Sequence, residues 1–461
     1  MSSFVARFKA ATGLDGAIIY AVSARMWTII GNIGTVLLML RFLSSVEQGY
    51  YFTLISLATL QVVFELGFSF VILQLAAHER AHITISPDGQ IEGNATAHAR
   101  LASVLQLALR WYTRAAFALG AFLLPLGIYF FSQNKQAGIP VQWFFPCLLS
   151  VLACVYLFML NPVFSFLEGC GEVKQVAKLR LCQCVANTVF AWSCMLTHHG
   201  LFAPGMIMLA SALVGTQFLW QRRKFLLGLL SYPVTEGAVS WRDEIWPFQW
   251  KIAVSWLCAY FTMQIFTPML FHYRNAVEAG QMGMSISIIG YISAIVLAWM
   301  TTKASPFGRL VAQREFEQLD SLFFRTLRQA MCFLLPMVGI CMLAVILMQH
   351  ISSRIAVRIV SPRVFAILLL GTIGSILVQS MAIYLRSFKR EPFLWQSITV
   401  AALTLLLSRA TVKTMGTMGI SLSYLVCTGV VGFTSAAVIF KSWHGQIASG
   451  EWCSPSIAEN D

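Results

Sequence analysis

Val46-Glu47-Gln48-Gly49, followed by Ile55-Ser56, returns later in the chain as Val277-Glu278-Ala279-Gly280, followed by Ile286-Ser287 at the same spacing. Two more pairs follow in the same order. Ser86-Pro87-Asp88-Gly89 matches Ser305-Pro306-Phe307-Gly308, and Phe122-Leu123-Leu124-Pro125 matches Phe333-Leu334-Leu335-Pro336. One such match is weak, because short apolar words recur by chance. Three in one order, at offsets that drift only with loop length, mark an internal duplication.

Around these words, long apolar runs separate charged or Pro/Gly-rich breaks. Twelve candidate spans lie near 18–40, 50–76, 111–131, 143–166, 182–196, 204–220, 252–271, 282–300, 330–348, 364–385, 393–407 and 416–440. Composition agrees with them. Of 461 residues, 58% are hydrophobic and 11% charged, too few charges to cover a water-soluble globule. The 13% aromatic content excludes low-complexity disorder, and the length excludes a small secreted disulfide scaffold. Six spans per repeat give both halves one orientation, related by an axis along the membrane normal, which is a transporter architecture. The expected fold is an all-α polytopic membrane protein of about 12 transmembrane helices, in two parallel-repeat six-helix bundles around a central cavity. A duplicated scaffold without a transport role is the plainer alternative. The domains expected are an interfacial N-terminal helix (1–16), a first bundle (17–224), a cytoplasmic linker (225–244), a second bundle (245–441) and a cytoplasmic tail (442–461).

Lys and Arg outnumber Asp and Glu by 32 to 19, for a net charge of +13. In a membrane protein such an excess sets orientation and does not point to nucleic acid. With both termini on one side, that side holds roughly 23 of the cations and the other about 8. The rich side includes Arg7, Lys9, Arg222-Arg223-Lys224, Arg309, Arg314, Arg386 and Lys389-Arg390. Both termini are expected in the cytoplasm, and the first residues lack the cleavage pattern of a removable signal. The longest connection, 78–110, is then cytoplasmic.

An ionisable side chain at membrane depth costs at least about 2.5–3.5 kcal/mol, so it should be paired or face water. Arg25 in the first span and Glu65 in the second lie about twenty residues on either side of the turn near Ser45, at similar depth, which makes an ion pair feasible. Arg25, Thr28, Asn32 and Thr35 share helical spacing, as do Gln61 and Glu65. In the second half, Tyr260, Gln264 and Thr267 form one such set, and Thr372, Ser375 and Gln379 another. These faces are expected to line a water-accessible cavity between the halves; a structural network of interhelical hydrogen bonds is the alternative. Pro125, Pro162, Pro268 and Pro336, with Gly31 and Gly34, are candidate bend points.

Other motifs point to competing classes. His78-Glu79-Arg80-Ala81-His82 has the H-E-x-x-H form of zinc proteases, but it falls where the second span meets the cytosol and no convincing third ligand follows. The eleven cysteines contain only one close pair, Cys182-x-Cys184, which suits reduced apolar filler. No phosphate-cradling loop is present. A multi-span glycosyltransferase or polymerase would need catalytic residues on a sizeable outer loop, and the first outer loop carries only Arg41 and Glu47. The expectation is a transporter without enzymatic activity, cofactor or metal.

The words themselves resemble a known family. Glu47-Gln48-Gly49-Tyr50-Tyr51, Glu65-Leu66-Gly67, Gln74 and His78-Glu79 are similar to the opening of bacterial polysaccharide-biosynthesis transporters. These are the lipid-linked oligosaccharide (O-antigen type) flippases of the multidrug/oligosaccharidyl-lipid/polysaccharide superfamily. Phe166-Leu167-Glu168-Gly169-Cys170-Gly171 resembles their turn after the fourth span. Trp246-Pro247-Phe248-Gln249-Trp250 and Ala279-Gly280-Gln281-Met282-Gly283 resemble blocks of their second half. The resemblance implies alternating access in the bacterial inner membrane, moving a polyprenyl-pyrophosphate-linked oligosaccharide from the cytoplasmic to the outer leaflet for a cell-surface polysaccharide. It also implies membrane lipids and polysaccharide assembly proteins as partners, and a monomer. Arg25 is then the candidate for the pyrophosphate and Glu65 for pairing or ion coupling. Asn32, Gln61, Tyr260, Gln264 and Gln379 suit the sugar; Arg274, beyond the seventh span, suits release of the cargo, with a snorkelling interfacial Arg as the equal alternative. A cation-coupled multidrug exporter of the same fold is the closest rival; it needs acidic groups, of which only Glu65 qualifies.

Overall fold

In lipid, a spanning backbone must satisfy its own hydrogen bonds, and an apolar run does so as a helix. The computed structural model describes residues 16–80, 83–85, 91–93, 95–132, 141–233, 239–241, 245–351, 357–388 and 392–448. The expected interfacial helix at 1–16 lies almost wholly outside the described residues, as does Ser86-Pro87-Asp88-Gly89. The chain forms two compact units, Met1–Trp256 and Leu257–Asp461.

Unit one begins with α1 (Gly16–Phe42). A broken second span follows, made of α2 (Ser45–Thr59), α3 (Gln61–Glu65) and α4 (Phe68–Arg80). A two-stranded ribbon then pairs β1 (Ile83–Ile85) antiparallel with β2 (Ile91–Gly93), Thr84 opposite Glu92. The remaining helices are α5 (Ala95–Ser132), α6 (Phe144–Gly169), α7 (Val173–Leu196), α8 (Ala203–Gln221) and the short α9 (Arg223–Leu230). Helix α10 (Trp246–Met263) crosses the boundary between the units. Unit two continues with α11 (Phe266–Tyr273), α12 (Ala276–Thr301), α13 (Ala304–Gln313), α14 (Phe316–Ile351), α15 (Pro362–Arg386) and α16 (Leu394–Tyr424). A π-helical stretch (Leu425–Gly432) then leads into α17 (Phe433–Ala448).

Nine described helices are long and apolar enough to cross a membrane, and two bent pairs bring the number to eleven. The longest of the nine, Leu394–Gln446, is interrupted at Gly416, whose φ of 55° and ψ of −131° are not helical. Counted as two, it gives the twelve spans expected. The protein is a multi-pass membrane protein with helical spans, and large side chains such as Phe117, Phe145, Ile340 and Val438 stand exposed on its helices, as lipid-facing residues do.

The repeated words prove to be helix starts and helix interiors. Ser44 caps α2: its Oγ accepts from Glu47 N at 3.1 Å, and the Glu47 carboxylate accepts from Ser44 N at 2.7 Å. At the matching place Asn275 caps α12, its Oδ1 accepting from Glu278 N at 2.8 Å. Ser44 and Glu47 thus form a reciprocal capping box; Asn275 caps α12 through its side chain alone, while its Nδ2 donates to Glu278 Oε1 at 3.2 Å. The shared Phe-Leu-Leu-Pro words sit inside the two longest unbroken helices, α5 with 38 residues and α14 with 36.

Helices extend past the apolar runs. The connection 78–110 is not a long loop: α5 already starts at Ala95, because Arg100, Gln106 and Arg110 interrupt the hydropathy without breaking the helix. The expected linker is likewise occupied. Gln106 Nε2 donates to the carbonyls of Leu230 (3.2 Å) and Tyr232 (3.1 Å), and Val239 N donates to Ser103 Oγ at 3.0 Å. These bonds tie segments of 225–244 along α5. Ion pairs collect at the same end of unit one: Glu79–Arg100 at 2.7 Å, Glu168–Arg180 at 2.7 Å, and Glu172 with Arg222. Glu79 of the H-E-x-x-H word is thus engaged by Arg100, while the His78 side chain is exposed; His82 lies outside the described residues. In unit two, Asp320 accepts from Tyr384 Oη at 2.6 Å and meets His444 Nε2 at 2.8 Å, within an aromatic cluster that includes Phe323 and Phe440. The last helix reaches Ala448, into the expected tail.

Candidate functional site

Unit one places a carboxyl group where a span is broken. The helix ends at Glu65 because Leu66 (φ 53°) and Gly67 (φ 67°) both take the left-handed conformation, which glycine accepts freely and leucine at a cost of roughly 1–2 kcal/mol. The chain resumes as α4 after a 47° bend. Glu65 is 9% exposed. Tyr112 Oη, on α5, donates to Glu65 Oε1 at 3.5 Å and lies 2.7 Å from Ser69 Oγ on α4. Tyr112 is fully buried and sits between Phe68, stacked at 6.0 Å, and Phe158 at 4.9 Å. Phe68 also meets Trp241 edge-on at 5.0 Å, and Trp241 stacks on Trp111 at 4.7 Å. The Trp111 Nε1 donor is buried without a hydrogen-bond partner among the described residues. Sequence reading identified Glu65 but neither Tyr112 nor this aromatic surround. Nothing in local spacing connects residues 47 positions apart.

The Arg25–Glu65 ion pair that the sequence makes feasible does not form: Glu65 is held by Tyr112, and Arg25 is exposed. The reason lies in how α1 is turned. Its lipid-type stripe of exposed Ile19, Met26, Ile30, Ile33 and Leu37 covers one side. A second side packs on α7, where a Cβ at Gly31 would come within 2.6 Å of Thr188 Oγ1, and one at Gly34 within 2.4 Å of Trp192. Trp27 Nε1 donates to Thr188 Oγ1 at 3.2 Å and Trp192 Nε1 to Thr35 Oγ1 at 3.0 Å. Gly31 and Gly34 thus serve close helix contact in an unbroken helix, not the bend expected of them. Thr28 and Thr35 lean to the α7 side, Thr28 lying 3.5 Å from Cys184 Sγ. At 100° per residue, Arg25 and Asn32 fall together on a third stripe, with Arg25 exposed and Asn32 half-buried. Gln61 lies one turn before Glu65, its Oε1 accepting from Cys154 Sγ at 3.5 Å.

In unit two the expected faces are divided. Pro268 lacks the N–H that would reach back to the Gln264 carbonyl, and the seventh span bends by 45° between α10 and α11 just there. Tyr260 (buried) and Gln264 (half-buried) therefore precede the break, and Thr267 (buried) follows it. One helical face cannot run through the three. On α15, Thr372 is buried beside Tyr424, with 3.5 Å between the hydroxyls. Gln379 is exposed and donates to Ser375 Oγ at 3.2 Å. Arg274 closes α11: its Nε is 3.1 Å from Glu278 Oε1 and its Nη1 donates to the Lys413 carbonyl at 3.3 Å. Of the other proline positions, Pro125, Pro162 and Pro336 lie inside continuous helices.

No family model matches the chain, and no curated protein matches it in sequence. Solved structures do match its fold. An inward-facing multidrug resistance MATE family transporter of the MOP superfamily is 15% identical, with a TM-score of 0.61 over 90% of this chain and 96% of that one. The lipid II flippase MurJ in an inward closed conformation is 14% identical, with a TM-score of 0.58 over 92% and 87%. A MOP superfamily transporter from Pyrococcus furiosus, described as having a binding pocket of reversed polarity, is 14% identical, with a TM-score of 0.54 over 95% and 97%. The chain has the fold shared by these transporters and flippases along nearly its whole length.

Proposed function

We propose that this protein is a flippase of the bacterial inner membrane that moves a polyprenyl-pyrophosphate-linked oligosaccharide from the cytoplasmic to the outer leaflet by alternating access, both termini being cytoplasmic. One observation carries the choice of cargo. The carboxyl, Glu65, is buried against Tyr112, whereas the cation, Arg25, is exposed beside half-buried Asn32 on α1, away from the side packed on α7 and from the stripe of Ile19, Met26, Ile30, Ile33 and Leu37. Groups left free to meet a cargo at this depth are thus a guanidinium and an amide. They suit pyrophosphate oxygens, which Arg can take two at a time, and sugar hydroxyls. A cationic drug would call for the opposite arrangement.

In this reading Arg25 attracts the anionic head as it leaves the cytoplasm. Asn32 and Gln61 exchange hydrogen bonds with the glycan, and Tyr260, Gln264 and Gln379 do so in unit two. The polyprenyl tail remains in lipid, since its transfer into a polar passage would forfeit about 0.8 kcal/mol per CH2. Glu65, at a break with two left-handed residues, is a positioning group: a change in its hydrogen bond to Tyr112 acts on the bend. Arg274, held by Glu278, stands at the end where the head is released.

The test is the leaflet distribution of fluorescent polyprenyl-pyrophosphate glycan in vesicles with and without the purified protein. Protein-dependent loss of quenchable label from the loading leaflet is expected. Unchanged label, together with accumulation of an organic cation in the same vesicles, would assign the fold to drug export in this chain.

A further inference from the structure

At one end of unit two, α11 finishes at Tyr273, α12 begins at Ala276 and α16 breaks at Gly416. Two cations converge on a single ring there: the Arg409 guanidinium lies 4.5 Å, and the Lys413 ammonium 5.4 Å, from the centroid of Tyr273. They are one helical turn apart, where like charges repel. Both are exposed, and neither forms an ion pair among the described residues. The neighbouring carboxylate, Glu278, is already taken by Arg274 and by Asn275 Nδ2 at 3.2 Å. The pair is also anchored. Arg274 fixes the helix end through the Lys413 carbonyl, and a Cβ at Gly416 would come within 2.5 Å of Glu278 Oε2, so the turn is pressed onto this cluster.

The position along the helix says what meets the pair. Trp395, Thr399, Ala402, Leu406, Arg409 and Lys413 follow one another at spacings of three and four, and all are exposed, so they form one outward stripe. From Trp395 to Lys413 is about 27 Å of helix, close to the ~30 Å hydrocarbon thickness. With the indole at one interface, Lys413 reaches the other. Arg409, about 6 Å deeper, extends up to it along its aliphatic stem. We propose that Arg409 and Lys413, held on the Tyr273 ring, form a binding site for the phosphate of a membrane-lipid headgroup at this interface. A phosphate between the two cations relieves their repulsion and accepts a bidentate pair of hydrogen bonds from the guanidinium. Snorkelling alone would explain two separate cations, not two gathered on one ring beside an anchored turn. The site does not rest on the cargo reading above, although Arg274, placed there at the release end, anchors the same turn.

The experiment uses the full chain in neutral detergent, titrated with phosphatidic acid, phosphatidylcholine or inorganic phosphate. It reads retained lipid by native mass spectrometry and the thermal unfolding midpoint. Phosphatidic acid is expected to be retained and to raise the midpoint, with phosphatidylcholine doing less. The R409Q/K413Q variant should unfold at the wild-type midpoint without lipid and bind phosphatidic acid roughly ten-fold or more weakly. Wild-type retention by that variant would overturn the proposal. An equal midpoint rise from millimolar inorganic phosphate would overturn the lipid assignment and leave a soluble-anion site. Tyr273→Leu keeps both charges and removes their shared ring; if the double variant fails to fold, undiminished retention by Tyr273→Leu overturns the proposal equally.

Discussion

Tyr112 decides what Glu65 is. A carboxyl group inside an apolar bundle needs a partner, and the sequence offers Arg25 at a compatible depth; the structure supplies a phenol from another span. Depth can be counted from a turn, because each helical residue advances 1.5 Å. Rotation cannot, because it is set by whichever neighbour a helix packs against, here α7 through Gly31 and Gly34. That is why Glu65 could be singled out from sequence and its partner could not. Tyr112→Phe keeps the ring stacking and removes the bridging hydroxyl. It should destabilise unit one by about 1–3 kcal/mol, the penalty of stranding buried polar groups, read as a lowered unfolding midpoint. Arg25 behaves oppositely, since it is exposed and supports no fold contact of this kind. Arg25→Gln should leave the midpoint unchanged and slow glycolipid translocation roughly ten-fold or more, the value of one hydrogen bond to a charged group; Arg25→Lys should retain part of the rate. Equal translocation by the Gln variant would remove Arg25 from the site.

Broken and unbroken helices differ in how clearly their sequences announce them. Pro268 marks the bend of the seventh span, because proline cannot return a hydrogen bond to Gln264. Pro125, Pro162 and Pro336 carry the same residue without interrupting their helices, so proline permits a bend without dictating one. The break in the second span depends on Leu66, which has no preference for left-handed backbone and takes it only because the surrounding packing requires it. Gly31 and Gly34 show the converse: they look like hinges and act as contact points. Gly34→Ala would press a methyl group against Trp192 and disturb its bond to Thr35. We expect a loss of about 1–3 kcal/mol, as for overpacked cores, largely recovered in the double variant with Trp192→Phe. Thermal unfolding of the four combinations measures that coupling. Gly416→Ala should be less recoverable, since both a positive φ and the Glu278 carboxylate oppose it.

At the scale of the molecule, hydropathy and repetition were the most legible features, because membrane burial constrains every span alike while a binding residue is constrained only by its own surroundings. The repeated word has a role unrelated to cargo: it opens a helix in each unit, capped by Ser44 over Glu47 N and by Asn275 over Glu278 N. Helix ends were less legible than spans, since Arg110 and Arg328 bound apolar runs while lying inside continuous helices. The expected orientation rests on the cation asymmetry, and the export direction proposed above depends on it. Arg25 lies nine residues into α1, about 14 Å from its start; with the N-terminus inside, that is the cytoplasmic half of the span, where an anionic head would enter. A fluorescent protein that matures only in the cytoplasm should therefore glow when fused after residue 461 and stay dark when fused after residue 201, in the turn between the fifth and sixth spans. A periplasmic phosphatase fused at the same two sites should give the reverse pattern. If instead the 201 fusion glows, Arg25 belongs to the outer half of its span, and the same guanidinium would receive a cargo arriving from outside, which would turn an export route into an uptake route.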